Sequence, residues 1–332
     1  MTGNFDLRRR DFAALALATL CGSHAVPSIA QTSYPTRPIK LIIPYAAGGG
    51  TDTVGRALAD VMSRSLGQPV IVENRGGASA IVGTNVAAKA EADGYTILYG
   101  TDANLVLNPL LYKKLVYDPD RDFVPIGLVA EVPQLLAISP SIPPRNVKDF
   151  IAYARANPGT LNYSSPGRGG NGDLAAEMFM QEFKVDMQSI SFSGGGPALA
   201  AVLAGTVQVY FGTTAVALPH IKAGKLVPLA VLTSQRQAAL PEISTVAESG
   251  APGFEATLRV GLVALAKTPP AIVERLNRAV NEALNTPAFR TQLEREGFIV
   301  ARPGTPASYA ALNQKAKETW GRIIRAKNIS LD

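Results

Sequence analysis

The chain is 332 residues long, 47% hydrophobic and 17% charged, with a formal net charge of +6. That composition supports a large buried core, commonly split between lobes of about 100–200 residues, and excludes a disordered chain. Mild basicity favours anionic partners in general, but the cations are dispersed and not interleaved with aromatic residues, which excludes a nucleic-acid interface.

Arg8, Arg9 and Arg10 precede an Ala/Leu run from Asp11 to Leu20, and Ser28-Ile29-Ala30 offers small residues before a cleavage point. Residues 1–30 therefore read as a signal peptide, and Arg9-Arg10-Asp11-Phe12 fits the twin-arginine export pattern. The run is too short to span a bilayer, and no later stretch approaches about twenty uninterrupted apolar residues. Cys21, the only cysteine, lies in this leader behind the bulky Leu20, so we expect neither a lipid anchor nor a disulfide. Removing residues 1–30 takes away three arginines and two aspartates and lowers +6 to +5. The expectation is a soluble periplasmic protein, a monomer, starting near Gln31.

In chain order, Ile39 to Tyr45 reads as a buried strand and runs into the loop Ala46-Ala47-Gly48-Gly49-Gly50-Thr51-Asp52. Val54, Leu58, Val61, Met62 and Leu66 then fall at helical spacing, with Thr51 or Asp52 as cap. A strand over Val70 to Glu73, a turn at Arg75-Gly76-Gly77, a helix over Ala80 to Ala90 and a strand over Tyr95 to Tyr99 follow, closing on Gly100-Thr101. About 115 to 120 residues later the pattern returns. Strand Leu161 to Ser164 leads into the loop Pro166 to Gly172, then helix Asp173 to Phe183 and strand Gln188 to Phe192. A turn at Gly194-Gly195-Gly196, a helix over Ala198 to Leu203 and a strand over Val207 to Phe211 end on Gly212-Thr213.

Strands alternating with helices predict two α/β lobes, each a doubly wound parallel sheet covered on both faces. In such sheets ligands bind beyond the carboxyl ends of the strands, where all of these glycine loops lie, so two facing lobes would line one cleft. Pro125 to Ser139 and Thr257 to Ala266 are apolar segments suited to hinge crossings between lobes. Ala271 to Leu284 and Ser308 to Ile324 read as amphipathic helices covering the first lobe. The expected division is 31–130 plus 255–332 for lobe 1 and 131–254 for lobe 2.

A carboxylate taken out of water must recover hydrogen bonds. Backbone N–H groups at helix starts supply them, because they lack intrahelical acceptors and the helix dipole favours negative charge. Gly167, Gly169 and Gly172 also satisfy G-x-G-x-x-G, but the strand Gln188 to Phe192 ends without the acid that would hold a ribose, so no nucleotide cofactor is expected. Beyond the leader there is one histidine, His220, and no G-x-S-x-G elbow, which argues against catalysis and leaves too few soft ligands for a transition metal. His220 sits at a predicted helix end and reads as a cap. Asp52 and Asp173 read as helix caps. A lone Arg259 in the apolar segment Ala256 to Ala266 needs a partner, either an acid such as Glu255 or a ligand carboxylate.

At Tyr34-Pro35-Thr36-Arg37-Pro38-Ile39, Pro44 to Asp52, Val72-Glu73-Asn74-Arg75, Asp93-Gly94-Tyr95-Thr96 and Leu218 to Leu226 the chain resembles the Bug family, the extracytoplasmic receptors of tripartite tricarboxylate transporters. The resemblance spans essentially everything after residue 30 and implies a type II periplasmic-binding-protein fold with a carboxylate between the lobes. It implies ligand contacts in the loops holding Tyr45, Ala47, Gly48, Gly49, Thr51 and Asp52, and Ser164, Ser165, Gly169, Gly170 and Asn171. Thr101, Phe192, Ser193, Phe211 and Arg259 complete the candidate set. Arg75 belongs to a shared motif and reads as structural. The chain departs from the family at Asn171-Gly172-Asp173, where a His or Leu is common, and at Arg259, near which an aromatic is common. It also carries Gly212 where the family usually has an aspartate suited to amino-bearing ligands. That loss argues against an amino acid. The expected ligand is a small dicarboxylate, aliphatic or aromatic such as a phthalate, delivered to membrane transporter subunits, with a sensor-only role or an enzyme acting in the same cleft as alternatives.

Overall fold

The first strand, β1 (Ile39–Ile43), buries every residue except Lys40, as a strand covered on both faces must. It belongs to a computed structural model that describes residues 34–326 and 328–331, apart from 46, 49, 166–168 and 193–194. The expected leader, with Cys21, lies outside the described residues. Helix α1 (Gly50–Leu66) packs on β1 through Val54, Leu58 and Met62, all fully buried at the spacing of one helical face. Strand β2 (Val70–Asn74), helix α2 (Ile81–Ala88) and strand β3 (Thr96–Thr101) follow. A π-helical stretch, Ala103–Leu107, and single turns at Asn108–Leu111 and Pro119–Asp122 lead to β4 (Phe123–Val132).

The chain changes sheets across one residue, Pro133, whose missing N–H ends the ladder. Strand β5 (Gln134–Ile138) opens the second sheet, followed by α3 (Val147–Ala156), β6 (Asn162–Ser165), α4 (Asn171–Phe183), β7 (Gln188–Ser191) and α5 (Gly195–Leu203). Then come β8 (Val209–Thr213), α6 (Thr214–Lys222) and β9 (Val227–Val231). The chain returns to the first sheet with β10 (Leu258–Leu265), and α7 (Pro270–Asn285), α8 (Pro287–Arg295), β11 (Ile299–Val300) and α9 (Pro306–Ala326) complete it.

The first sheet has the order β11-β4-β10-β3-β1-β2 and the second β7-β6-β8-β5-β9. Within each, the three strands of the repeated unit are parallel: β1 with β2 and β3, and β6 with β7 and β8. The sheets as wholes are mixed, contrary to the parallel expectation. β10 is antiparallel to β3 and β4, and β5 is antiparallel to β8 and β9. The reason is the crossings: β3 and β8 run towards the region between the sheets, whereas β10 and β5 start there, having just come from the other sheet.

Alternation along β5 assigns its two faces. Leu136 and Ile138 join the main apolar cluster, which draws on both sheets, and Leu135 and Ala137 join a smaller one around Leu199, Val202 and Tyr210. Phe179 of α4 sits at the centre of the main cluster, with ring centroids 6.0 Å from Phe150, 4.7 Å from Phe183, 5.7 Å from Phe211 and 6.5 Å from Phe254. Helix α9 was expected to cover the first lobe. It packs on β4 and also on α4, because its buried Trp320, Ile323 and Ile324 extend the apolar face to its far end.

Candidate ligand-binding cleft

Where the two sheets face each other lies a cavity of about 580 Å³. From the first lobe, Tyr45, Thr51, Thr101, Leu107, Asn108 and Leu111 line it, with Val132, Leu258, Arg259, Val260 and Phe298. From the second lobe come Gln134, Gly169, Gly170, Asn171, Gly195, Gly196, Tyr210, Gly212 and Thr213. Four helices begin on this wall: α1 near Thr51, α4 at Asn171, α5 at Gly195 and α6 just after Thr213. The first N–H groups of a helix lack intrahelical acceptors and its dipole favours negative charge beside them, although Thr214 N already donates to Pro133 O at 2.9 Å. Arg259 and Glu296 are the charged residues among the described lining.

Each glycine loop is tied to the helix that follows it by an aspartate one turn in. In the first lobe, Gly48 N donates to Asp52 Oδ2 at 2.9 Å, Asn74 Nδ2 to Oδ1 at 2.9 Å and Arg56 Nε to Oδ2 at 3.0 Å. In the second, Gly169 N donates to Asp173 Oδ2 at 2.9 Å, while Tyr163 and Ser189 donate to Oδ1 at 2.9 and 2.8 Å. Burial alone would raise the Asp52 carboxyl, but these hydrogen bonds outweigh it and hold the group below its ordinary range. Both carboxylates are spent on fixing the loops.

Behind the first-lobe wall, the hydroxyls of Tyr45 and Thr101 lie 2.7 Å apart, and Thr101 N donates to Asn104 Oδ1 at 2.7 Å. Asn104 Nδ2 in turn reaches Thr84 Oγ1 at 2.9 Å. Burial pushes the Tyr45 phenol up to about 12, so it stays protonated and able to donate. Ala78, Ser79 and Ala80 hold φ values of 45, 52 and 73°, a left-handed turn costing roughly 1–2 kcal/mol per residue that presents Ser79 to the cavity. Three lining side chains bury a nitrogen with no protein partner among the described residues: Gln134 Nε2, Asn171 Nδ2 and Arg259 Nε. The wall is therefore short of acceptors.

Arg259 is itself buried. Its Nη1 lies 3.5 Å from Asp102 Oδ2, its Nη2 3.4 Å from Glu255 Oε1, and its backbone N donates to Asp102 Oδ2 at 3.2 Å. Burial pushes the Asp102 carboxyl up to about 7, against the lowering by Arg259, and burial likewise raises Glu131. Among the described residues there is no cluster of potential metal ligands and no helix long and apolar enough to cross a membrane.

Residues 54–329 match the tripartite tricarboxylate transporter family receptors. The chain belongs to that family. It is 34% identical to Protein BugT of Bordetella pertussis over 310 residues, covering 92% of this chain and 94% of BugT. Among solved structures it is similar to an R. palustris protein with adipate, at 32% identity and a TM-score of 0.79, covering 90% of this chain and 99% of that one. It is also similar to MatC of Rhodopseudomonas palustris with bound malate, at 34% identity and a TM-score of 0.75, covering 88% and 99%. The two-sheet α/β fold is that of a periplasmic solute-binding receptor, matching the periplasmic binding protein BugD at 32% identity and a TM-score of 0.75.

In this receptor the cavity gathers Tyr45, Thr51, Thr101, Gly169, Gly170, Asn171 and Arg259 from the sequence candidates. The others lie elsewhere. Ala47 and Gly48 are exposed, with Ala47 on a separate shallow depression, and Asp52 is taken up by its loop. Ser164 and Ser165 are fully buried, with Ser164 Oγ donating to Val209 O at 3.4 Å. Phe192 is half-buried beside the smaller apolar cluster. Phe211 is in the core, 6.0 Å from the Tyr163 ring, because alternation along β8 gives the cavity Tyr210 and Gly212 instead. Gly49 and Ser193 lie outside the described residues. The run Val209-Tyr210-Phe211 carries no sign of which face meets the cleft, so Tyr210 was not legible, and neither were Gln134, Leu111 or Phe298. Gly212 was noted only as a missing aspartate. A Cβ built there would lie 2.4 Å from Tyr210 Oη, so the tyrosine fills the space.

Proposed function

We propose that this receptor captures a small dicarboxylate in the cleft, one carboxylate held by each lobe, and delivers it in the periplasm to a tripartite tricarboxylate-type transporter. The observation that carries the reading is the convergence of four helix N-termini, drawn from both lobes, on one cavity. Fixed N–H donors and aligned dipoles favour anions, and placing them on both sides suits an anion charged at both ends. Apolar residues between them, among them Leu107, Leu111, Val132 and Leu258, suit a hydrocarbon body. Structural relatives with adipate and with malate agree with this class.

Arg259 was expected to pair either with an acid such as Glu255 or with a ligand carboxylate. Sharing its guanidinium with Asp102 and Glu255 leaves it a supporting part, so the helix starts carry the charge recognition. The periplasmic location is supported by the basic and apolar pattern of residues 1–30 and by the family. A thermal-shift screen of the protein without residues 1–30 tests the reading, because binding stabilises the fold by RT ln(1 + [L]/Kd), about 2.7 kcal/mol at a hundredfold excess over Kd. Dicarboxylates should raise Tm more than the matching monocarboxylates, and amino acids should have no effect. Equal shifts for mono- and dicarboxylates would contradict it.

A further inference from the structure

The chain does not stop at α9. Asn328, at φ 49°, turns it back, Ile329 N closes on Ile324 O at 3.0 Å, and Leu331 N donates to Leu111 O at 3.0 Å. Leu331 is half-buried and lines the cavity beside Leu111 and Leu107. The second-lobe loop meets it there: a Cβ built on Gly169 would lie 3.1 Å from Leu331 Cδ1 and 3.2 Å from Leu111 Cδ1. Leucines from two separate segments thus line one edge of the cleft, with the Gly169 backbone packed close against them.

Resting on the dicarboxylate reading above, we propose that Leu331 is a specificity-determining residue: with Leu107 and Leu111 it forms an aliphatic wall that selects acids with an unsubstituted hydrocarbon body over hydroxylated ones. A methylene against such a wall gains from leaving water, whereas a hydroxyl there loses its water partners and finds none in leucine. A hydrophobic pocket discriminates by roughly 10–200-fold per methylene. Leu331 is tied by its backbone to Leu111, so its side chain can be changed while the strap keeps its N–H bond.

The test is titration calorimetry of native protein, Leu331→Ala and Leu331→Asn with adipate, succinate and malate. Native protein should bind adipate at least tenfold more tightly than malate. In both variants adipate should weaken about tenfold or more while malate holds or improves, most clearly for Leu331→Asn, whose amide can receive the hydroxyl. Equal losses for all three acids, or none, would show that Leu331 only packs and would overturn the inference. Failure of native protein to bind any of the acids would instead overturn the dicarboxylate reading beneath it.

Discussion

Gly169 shows how much one residue of the second loop decides. It holds φ +70°, a conformation that L side chains rarely adopt, and faces Leu111 and Leu331 at distances a methyl group could not share without movement. Gly169→Ala should cost about 1–3 kcal/mol of stability, measured by urea unfolding, and loosen any ligand held by the same loop. An unchanged midpoint would mean the loop relaxes freely. The glycines were legible as a loop from their clustering alone. Arg259 was only half legible. Its isolation in an apolar run showed that it needed a partner, but Asp102 is 157 residues away and no local pattern connects the two.

Helices and strands were the most legible scale, because Val54, Leu58 and Met62, or the run Ile39 to Ile43, announce their period directly. Helix α3 and strand β9 went unread, having no glycine loop to mark them, and strand direction was unreadable because apolar runs carry no polarity. Two predictions belong here. Phe179, packed among four other rings, should cost about 3–5 kcal/mol when cut to Ala, visible as a lowered urea midpoint. Gly196, in the first turn of α5, has nothing within 4 Å of a built Cβ, so a side chain there starts into open space and Gly196→Asp is a suitable substitution. An aspartate there should keep or slightly raise stability, by about 0.3–1 kcal/mol at a helix start. It should also occupy the anion's place, weakening dicarboxylate binding at least tenfold in calorimetry. Retained affinity would remove α5 from the site.

On the scale of the whole molecule, the two sheets are joined at Pro133 and at the segment entering β10, where Asp102 and Arg259 meet. The folded protein holds the Asp102 proton to about pH 7, whereas an unfolded aspartate loses it near 4. Between those values the folded state binds more protons, so this residue makes stability fall as pH rises from about 4 to 7 and adds no further slope above that. Asp102→Asn should flatten that part of the urea-unfolding profile, and parallel curves for native and variant would refute the assignment. Arg259→Met should cost about 3–5 kcal/mol at pH 8, by stranding a buried carboxylate, and less at pH 5, where Asp102 takes a proton. The repeat that relates the lobes was visible in sequence as two glycine-loop units, and it fixed the cleft. Part of its wall was not, because Leu331, Phe298 and Gln134 come from segments outside the repeat.

The most direct measurement is a crystal structure of the protein without residues 1–30, grown with the dicarboxylate that gives the largest thermal shift. It should place one carboxylate on the N–H groups near Thr51 and the other on those of Gly170, Asn171 or Gly196, with the hydrocarbon body against Leu111 and Leu331. A ligand outside the cleft, or one whose carboxylates both avoid the helix starts, would contradict the account.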